Sequence, residues 1–337
     1  MYILGMESSC DETSAAIVEM GDGVRAIRSN IVASQIDVHR LYGGVVPEIA
    51  SRAHIEAISR ITYQAIAEAG ITLADVGAVA VTAFPGLIGA LLVGVNFAKS
   101  MAYSRNIPLV AVNHIHCHVA AAYLAHQDLE PPFLALVVSG GHTSIYRVTD
   151  YTDFEEIGGT RDDAAGEAFD KIGRVIGLPY PGGAALDKLA YEGDPKAILL
   201  PSPALAGNTL DFSFSGIKTA ALNYLNSMEQ KGSEINRADV AASYTDKIVK
   251  AIVSKAELAL HQTGMKTLVL AGGVAANSHL RSALEAMCLQ NGVRLCMPDR
   301  SLCGDNGAMI AAAGYFQYQK GNFADTSLNA SASDDGC

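Results

Sequence analysis

Hydrophobic and polar positions along this chain alternate between a two-residue and a helical rhythm. Tyr2 to Met6 and Ser14 to Glu19 are apolar runs on either side of a polar turn, Glu7-Ser-Ser-Cys-Asp-Glu-Thr13, which predicts a β-hairpin. Pro47 opens a helical stretch carrying Ile49, Ile55, Ile58 and Ile61, and Gly70 closes it. Val76 to Val81 is a predicted strand, Phe84-Pro-Gly-Leu-Ile-Gly89 turns the chain into a helix through Tyr103, and Leu109 to Val112 is a second short strand. His114 to His126, rich in Ala, reads as helix.

The pattern then starts again. Phe133 to Val138 and Thr143 to Val148 are strand-like around the turn Ser139-Gly-Gly-His142, and both hairpin turns lead into a Thr-Ser pair, Thr13-Ser14 and Thr143-Ser144. Helices are predicted over Ala164 to Ile176, Leu186 to Glu192, Arg237 to Gln262, Ser278 to Gln290 and Asn306 to Tyr318, with strands at Thr267 to Ala271 and Arg294 to Met297. Residues 194 to 211 read as loop. A duplicated hairpin start followed by alternating strands and helices implies an α/β protein of two similar lobes. The expected division is residues 1–128 with the last helix, 306–321, returning to them, then residues 129–305, then a disordered Ser- and Asp-rich tail over 325–337.

Composition narrows the function classes. With 337 residues and 50% hydrophobic positions the chain has ample core for two domains. No apolar run reaches the roughly 18–20 residues of a membrane span, and no basic leader precedes the first strand, so a cytoplasmic protein is expected. Six cysteines without a C-x-x-C pair point to idle thiols. A net charge of −11 argues against a free-standing nucleic-acid binder. An RNA substrate would need a local basic patch or a partner protein to attract it.

Four groups of residues suit chemistry. In Val138-Ser139-Gly140-Gly141-His142, two glycines between buried strands can take positive φ and aim N–H groups at a phosphate, although Gly-Gly is also an ordinary hairpin turn. The acidic turn with Asp11 and Glu12 would meet a phosphate-bound metal, a water or a proton, or would simply cap. Gly272-Gly-Val-Ala-Ala-Asn277 lies between a strand and a helix, where glycines admit a flat ring and Asn277 can also cap. On a helix, His114 and His118 share a face and can share a metal; on an extended segment His116 would join them. The helix formers from Val119 to Ala125 favour the helix. Two imidazoles need a carboxylate, and Asp305, in Cys303-Gly-Asp-Asn306, is the candidate, its ordinary alternative being a helix cap. Asp170, Gly183 and Asp187 form a looser group suited to ribose hydroxyls, each alone an ordinary surface position. His39, His54, His126, His261 and His279 have no partner at ligand spacing.

Together these motifs resemble the TsaD family (also called Gcp, counterpart of the catalytic KEOPS subunit). The resemblance runs through Gly5-Met-Glu-Ser-Ser-Cys-Asp-Glu-Thr13, Tyr42-Gly-Gly-Val-Val-Pro-Glu48, Pro85-Gly-Leu87, His114 to His118 and Val138 to Thr143. It continues through Asp163-Asp-Ala165 with Gly166-Glu167, Phe212-Ser-Phe-Ser-Gly-Ile-Lys218, Gly272 to Asn277 and Cys303 to Asn306. Phe84 departs from the small residue expected before Pro-Gly. The resemblance implies an actin-like, Hsp70-like ATPase (ASKHA) fold with a central ligand cleft. It implies transfer of threonylcarbamoyl from threonylcarbamoyl-adenylate to the exocyclic amine of the adenosine beside the anticodon, in tRNAs reading codons that begin with A, with release of AMP. By the same resemblance His114, His118 and Asp305 would hold one divalent metal, Fe2+ or alternatively Zn2+. Val138, Ser139, Gly140, Gly141, His142, Asp170, Gly183, Asp187 and Asn277 would bind the donor nucleotide. Glu12 or Asp11 would take the proton. A TsaB-like scaffold homologue and a TsaE-like ATPase are the implied partners.

Three other readings fit less of the sequence. A metalloprotease of the H-E-x-x-H type needs a general base after the first His, and Ile115 stands there. A sugar or acetate kinase would leave His114, His118 and Asp305 idle. A non-catalytic scaffold homologue would be expected to lack that set.

Overall fold

The computed structural model describes residues 1–202 and 208–334; the stretch 203–207 of the expected loop and the last three residues of the expected tail lie outside the described residues. The chain forms two compact units. The first holds Met1–Pro131, Asp150–Asp153 and Pro298–Cys337, and the second Pro132–Thr149 and Phe154–Met297.

In the first unit β1 (Tyr2–Glu7) pairs antiparallel with β2 (Glu12–Gly21), which pairs antiparallel with β3 (Val24–Ser34). The chain continues through the short α1 (Ile36–Arg40) and α2 (Pro47–Glu68) into β4 (Val76–Phe84), α3 (Ile88–Arg105), β5 (Leu109–Asn113) and α4 (His114–Ala125). The five strands run in the order β3-β2-β1-β4-β5, with β4 parallel to both β1 and β5. Leu4, Met6, Ile17, Val79 and Val81 are buried under Ile58, Ile61, Ala65 and Val95 from the helices. Ile55, expected among the inward positions of α2, is exposed; His54 one residue earlier is buried instead, because its ring serves the acidic turn.

The second unit repeats the topology. It contains β6 (Phe133–Val138), β7 (Thr143–Asp150), β8 (Asp153–Gly159), α5 (Ala165–Val175), α6 (Gly182–Leu189), α7 (Ser215–Gln230), α8 (Arg237–Thr263), β9 (Thr267–Ala271), α9 (Ser278–Asn291) and β10 (Arg294–Cys296). Its sheet order is β10-β9-β6-β7-β8, the same plan with β6 in the place of β1. Three elements had no clear sequence signal. β3 is an edge strand broken by Arg25, Arg28, Ser29 and Asn30, and pairing with β2 imposes it. β8 is acidic and mostly exposed. α7 buries only Ile217, Ala221 and Leu225, a stripe too narrow to stand out.

The last helix, α10 (Gly307–Gln319), belongs to the first unit, and small residues set how closely it lies on the sheet. A Cβ added at Gly5 would lie 2.1 Å from the Gly307 carbonyl oxygen and 2.4 Å from the Ala311 nitrogen. A Cβ at Gly307 would meet the Ala16 nitrogen at 2.6 Å, and one at Gly314 would meet Ala80 Cβ at 2.3 Å. Backbone thus rests on backbone, and the Gly307 N–H donates to Ser14 Oγ at 2.7 Å. Asn306 caps the helix by accepting from Met309 N at 3.1 Å. Asp305, immediately before, does not fill that role.

The expected disordered tail is corrected over residues 325–334. Ala324 bridges Leu109, Lys99 donates to the Leu328 carbonyl at 2.8 Å, and Ser331 N–H donates to the Ala83 carbonyl at 2.9 Å. Leu328 and Ala330 also pack on the core, so the polar composition hides two apolar anchors and a set of backbone hydrogen bonds. Cys10, Cys117, Cys288, Cys296 and Cys303 form no disulfide among the described residues.

Gly5→Ala forces backbone apart in a region with no side chain able to yield. We expect it to destabilise the protein by about 3 kcal/mol or more, read as a lower urea midpoint. An unchanged midpoint would mean that α10 is free to move off the sheet.

Candidate functional site

Three side chains from distant parts of the first unit meet. α4 begins at His114, with Asn113 capping it through Ile115 N at 2.7 Å and His116 N at 3.2 Å. The helical spacing puts His114 and His118 on one face, with ring centroids 4.8 Å apart. Asp305 Oδ1 lies 3.6 Å from His114 Nε2 and 3.3 Å from His118 Nε2. One ligand atom from each of the three falls within 4.8 Å of the others. Metal bonds of about 2.1 Å set neighbouring donors roughly 3.0–3.4 Å apart, close to this spacing. The ring of His118 is buried, and neither of its nitrogens has a hydrogen-bond partner among the described residues. A buried imidazole left in that state is costly unless something else occupies it, so the donor set fits a divalent cation. His116 stays off this face, and burial pulls its ring down to about 4 against the opposing charge of Asp334.

A second layer, not among the residues singled out from the sequence, holds His114. Glu7 Oε2 lies 2.9 Å from His114 Nδ1, leaving Nε2 directed at Asp305, and Thr82 donates to the same Glu7 oxygen at 2.7 Å. Burial would raise Glu7, but the His114 imidazole and the Thr82 hydroxyl hold it below the ordinary carboxylate range. Burial would likewise lower His114, but Asp305 and Glu7 overcome this and push it up to about 9. A carboxylate behind a ligating histidine orients the ring and raises its basicity. The signal was present as an acidic residue at the carboxyl end of β1; its partner was not.

The acidic turn is held from several sides. Thr13 Oγ1 is 2.7 Å from His54 Nδ1, and His54 Nε2 is 2.9 Å from the Cys10 carbonyl. Leu87 N–H donates to the Ser9 carbonyl at 2.8 Å, so the Phe84-Pro-Gly-Leu87 turn braces it. A Cβ at Gly86 would stand 2.7 Å from that carbonyl oxygen. Burial, reinforced by Asp305 and Asp11, pushes Glu12 up to about 10.

The other candidate residues lie in the second unit. Ser139 N–H donates to the His142 carbonyl at 2.8 Å, and His142 N–H donates to Ser139 Oγ at 3.0 Å. Gly140 and Gly141 do not take the expected positive φ. A Cβ at either would meet open space; the first turn of α5 lies against the loop, Gly166 N–H donating to the Ser139 carbonyl and Glu167 N–H to that of Gly140, both at 3.2 Å. A Cβ at Gly166 would stand 2.6 Å from the Ser139 oxygen. Gly272 has the conformation expected of the first pair, φ +92, and a Cβ there would strike the Val138 carbonyl oxygen at 2.4 Å. The two glycine turns therefore sit side by side at the ends of β6 and β9.

Asp170 accepts from Gly183 N–H at 2.9 Å, tying α5 to α6. Asn277 caps α9 through Leu280 N at 2.8 Å. Asp187 takes Ser278 N–H at 3.0 Å, Ser278 Oγ at 2.7 Å and His279 Nδ1 at 2.7 Å, with a longer contact to His279 N at 3.4 Å. Those donors fill its acceptor positions, so His279, expected to be without a partner, has one.

A family model described as TsaD: tRNA N6-adenosine threonylcarbamoyltransferase matches residues 26–312. Relatives named tRNA N6-adenosine threonylcarbamoyltransferase from Clostridium perfringens and Clostridium botulinum are each 53% identical over 328 residues, 97% of this chain and 96% of the relative. Among solved structures, full-length HypF in its phosphate- and nucleotide-bound form aligns with a TM-score of 0.62 at 16% identity, covering 99% of this chain. This chain spans 47% of that HypF chain. The Acidaminococcus fermentans (R)-2-hydroxyglutaryl-CoA dehydratase component A aligns with a TM-score of 0.54 at 17% identity, covering 95% of this chain and 99% of its own. These distant structures show the fold, the actin-like ATPase (ASKHA) type. At 53% identity over nearly its whole length, the chain belongs to the TsaD family of tRNA N6-adenosine threonylcarbamoyltransferases.

Proposed function

We propose that this chain transfers the threonylcarbamoyl group from threonylcarbamoyl-adenylate to the N6 amine of the adenosine next to the anticodon in tRNAs reading codons that begin with A. The observation that carries the reading is the cluster of His114, His118 and Asp305, the buried His118 ring without a hydrogen-bond partner among the described residues, in a chain of this family. The amine attacks the carbamoyl carbon, the bond from that carbon to the phosphate oxygen breaks, AMP leaves with the electron pair, and one proton departs from nitrogen.

An aromatic amine is a weak nucleophile, so positioning and charge stabilisation matter more than base strength. A bound Fe2+, or alternatively Zn2+, would supply polarisation and orientation of the donor's carbonyl end. His114, His118 and Asp305 would hold it, and Glu7 would fix the tautomer of His114. Ser139 to His142, with Val138 behind them, accept the donor phosphate. Asp170, Gly183, Asp187 and Asn277 take its ribose and base, a ribose hydroxyl replacing the long His279 N–H contact on Asp187. Asp11 or Glu12 takes the departing proton.

A TsaB-like scaffold and a TsaE-like ATPase complete the system by family membership. Among the described residues no helix is long and apolar enough to cross a membrane, and we place the activity in the cytoplasm.

Incubating the protein and its partners with unmodified tRNA and threonylcarbamoyl-adenylate should yield a new modified adenosine by nucleoside mass analysis; none would overturn the reading. His118→Ala should keep its fold while transfer falls by more than about a hundredfold and bound metal is lost. Full activity of that variant without metal would remove the assigned role. Because a proton held near 9 on His114 competes with the cation, apparent Zn2+ affinity should climb as pH rises from 6.5 towards 9 and then level, by up to about tenfold per unit. Calorimetric titrations at three pH values check this, and pH-independent affinity would contradict it.

A further inference from the structure

Resting on the proposed reaction, we infer that a cavity on the second unit, walled by one face of α8, grips the phosphodiester backbone of the tRNA. The chain carries a net charge of −11, so a polyanionic substrate needs a local region of opposite sign. Lys247, Lys250, Ala251, Ser254 and Lys255 recur at helical spacing along one face of α8 and line a cavity of about 270 Å3. Ser202, Ser213 and Asp211 also contribute, over a floor of Phe212 and Phe214, which are buried and stacked.

The charges of the cavity do not cancel. Asp211 is held by Arg161 at 2.5 Å, and Asp246, one residue before Lys247, is 2.8 Å from Lys250. Lys255 donates to the Thr209 carbonyl, an uncharged partner that leaves its charge uncompensated. Lys247 has no ion-pair partner among the described residues. Three lysines and Arg161 therefore stand against three carboxylates, Asp211, Asp246 and the Asp162 that Ser213 and Phe214 hold, over an apolar floor that screens charge less than water does.

The hydroxyls offer few donors. Ser254 donates to the Ala251 carbonyl at 3.0 Å, and Ser213 donates to Asp162. The ligand is thus recognised by ammonium point charges. That chemistry suits phosphate oxygens and does not read bases, so the contact positions the tRNA without selecting sequence. A cavity of this size takes one phosphate and its sugar. Neither the metal cluster nor the glycine turns contribute a residue to it.

The test uses the full chain with its partners and measures tRNA binding directly, without donor. The double variant Lys247→Ala, Lys250→Ala should weaken tRNA binding on the order of tenfold and reduce the salt slope of the binding constant by about 2. The arginine pair Lys247→Arg, Lys250→Arg should retain binding. Both lysines are at least partly exposed, so an unchanged thermal midpoint is expected and separates lost contacts from lost fold. Unaltered tRNA affinity and salt slope in a folded double variant would overturn the inference. So would weakened donor binding with tRNA affinity intact, since the cavity would then serve a small anion. If wild type binds tRNA through this face yet transfers nothing, the proposed reaction fails and the surface stands.

Discussion

Contact between two glycines fixes the position on which the rest of the site depends. Gly5 lies in the central strand of the first unit, and the Gly307 carbonyl occupies the space where any other residue would carry a Cβ, 2.1 Å from that ideal position. Helix α10 therefore begins directly on β1, and Asp305 is delivered two residues ahead of it beside the first turn of α4. Sheet and helix are both rigid elements, so the bend that carries Asp305 is anchored immediately behind it. The Gly307 hydrogen bond to Ser14 Oγ ties the same point to β2.

The electrostatics follow from that delivery. Asp305 comes to a region that already holds Glu7, Asp11 and Glu12, and burial makes each negative charge expensive. The structure responds in two ways. His114 keeps a proton far above its ordinary range, between Glu7 and Asp305, while Glu12 keeps its own. The buried His118 ring, with no hydrogen-bond partner among the described residues, is the remaining cost, and a metal ligand bond would remove it.

Periodicity revealed most of the architecture because the central strands and long helices bury wide apolar faces. The repeated hairpin exposed the duplication, and the two sheets share one strand order. β3, β8 and α7 escaped notice because tertiary pairing, not local pattern, stabilises them. The tail misled for the opposite reason: its Ser and Asp content concealed Leu328 and Ala330, which anchor it. At the site, His114 and His118 were legible from spacing alone, but Asp305 needed a contact nearly two hundred residues away, supplied first by chemical need and then by resemblance. Gly140 and Gly141 looked like positive-φ positions, whereas Gly272 has that conformation and Gly166, on α5, is the glycine that the close contact requires. Glu7 behind His114 was not legible, since nothing in the sequence pairs a strand end with the start of a helix a hundred residues on.

The central claim is that the glycine contact builds a three-ligand cation site from α4 and the start of α10. Crystals of protein loaded with Fe2+, measured at the iron absorption edge, test it most directly. The account predicts one anomalous peak within about 2.3 Å of a His114 nitrogen, a His118 nitrogen and an Asp305 oxygen. A peak bound elsewhere, with those three side chains unligated, would contradict it.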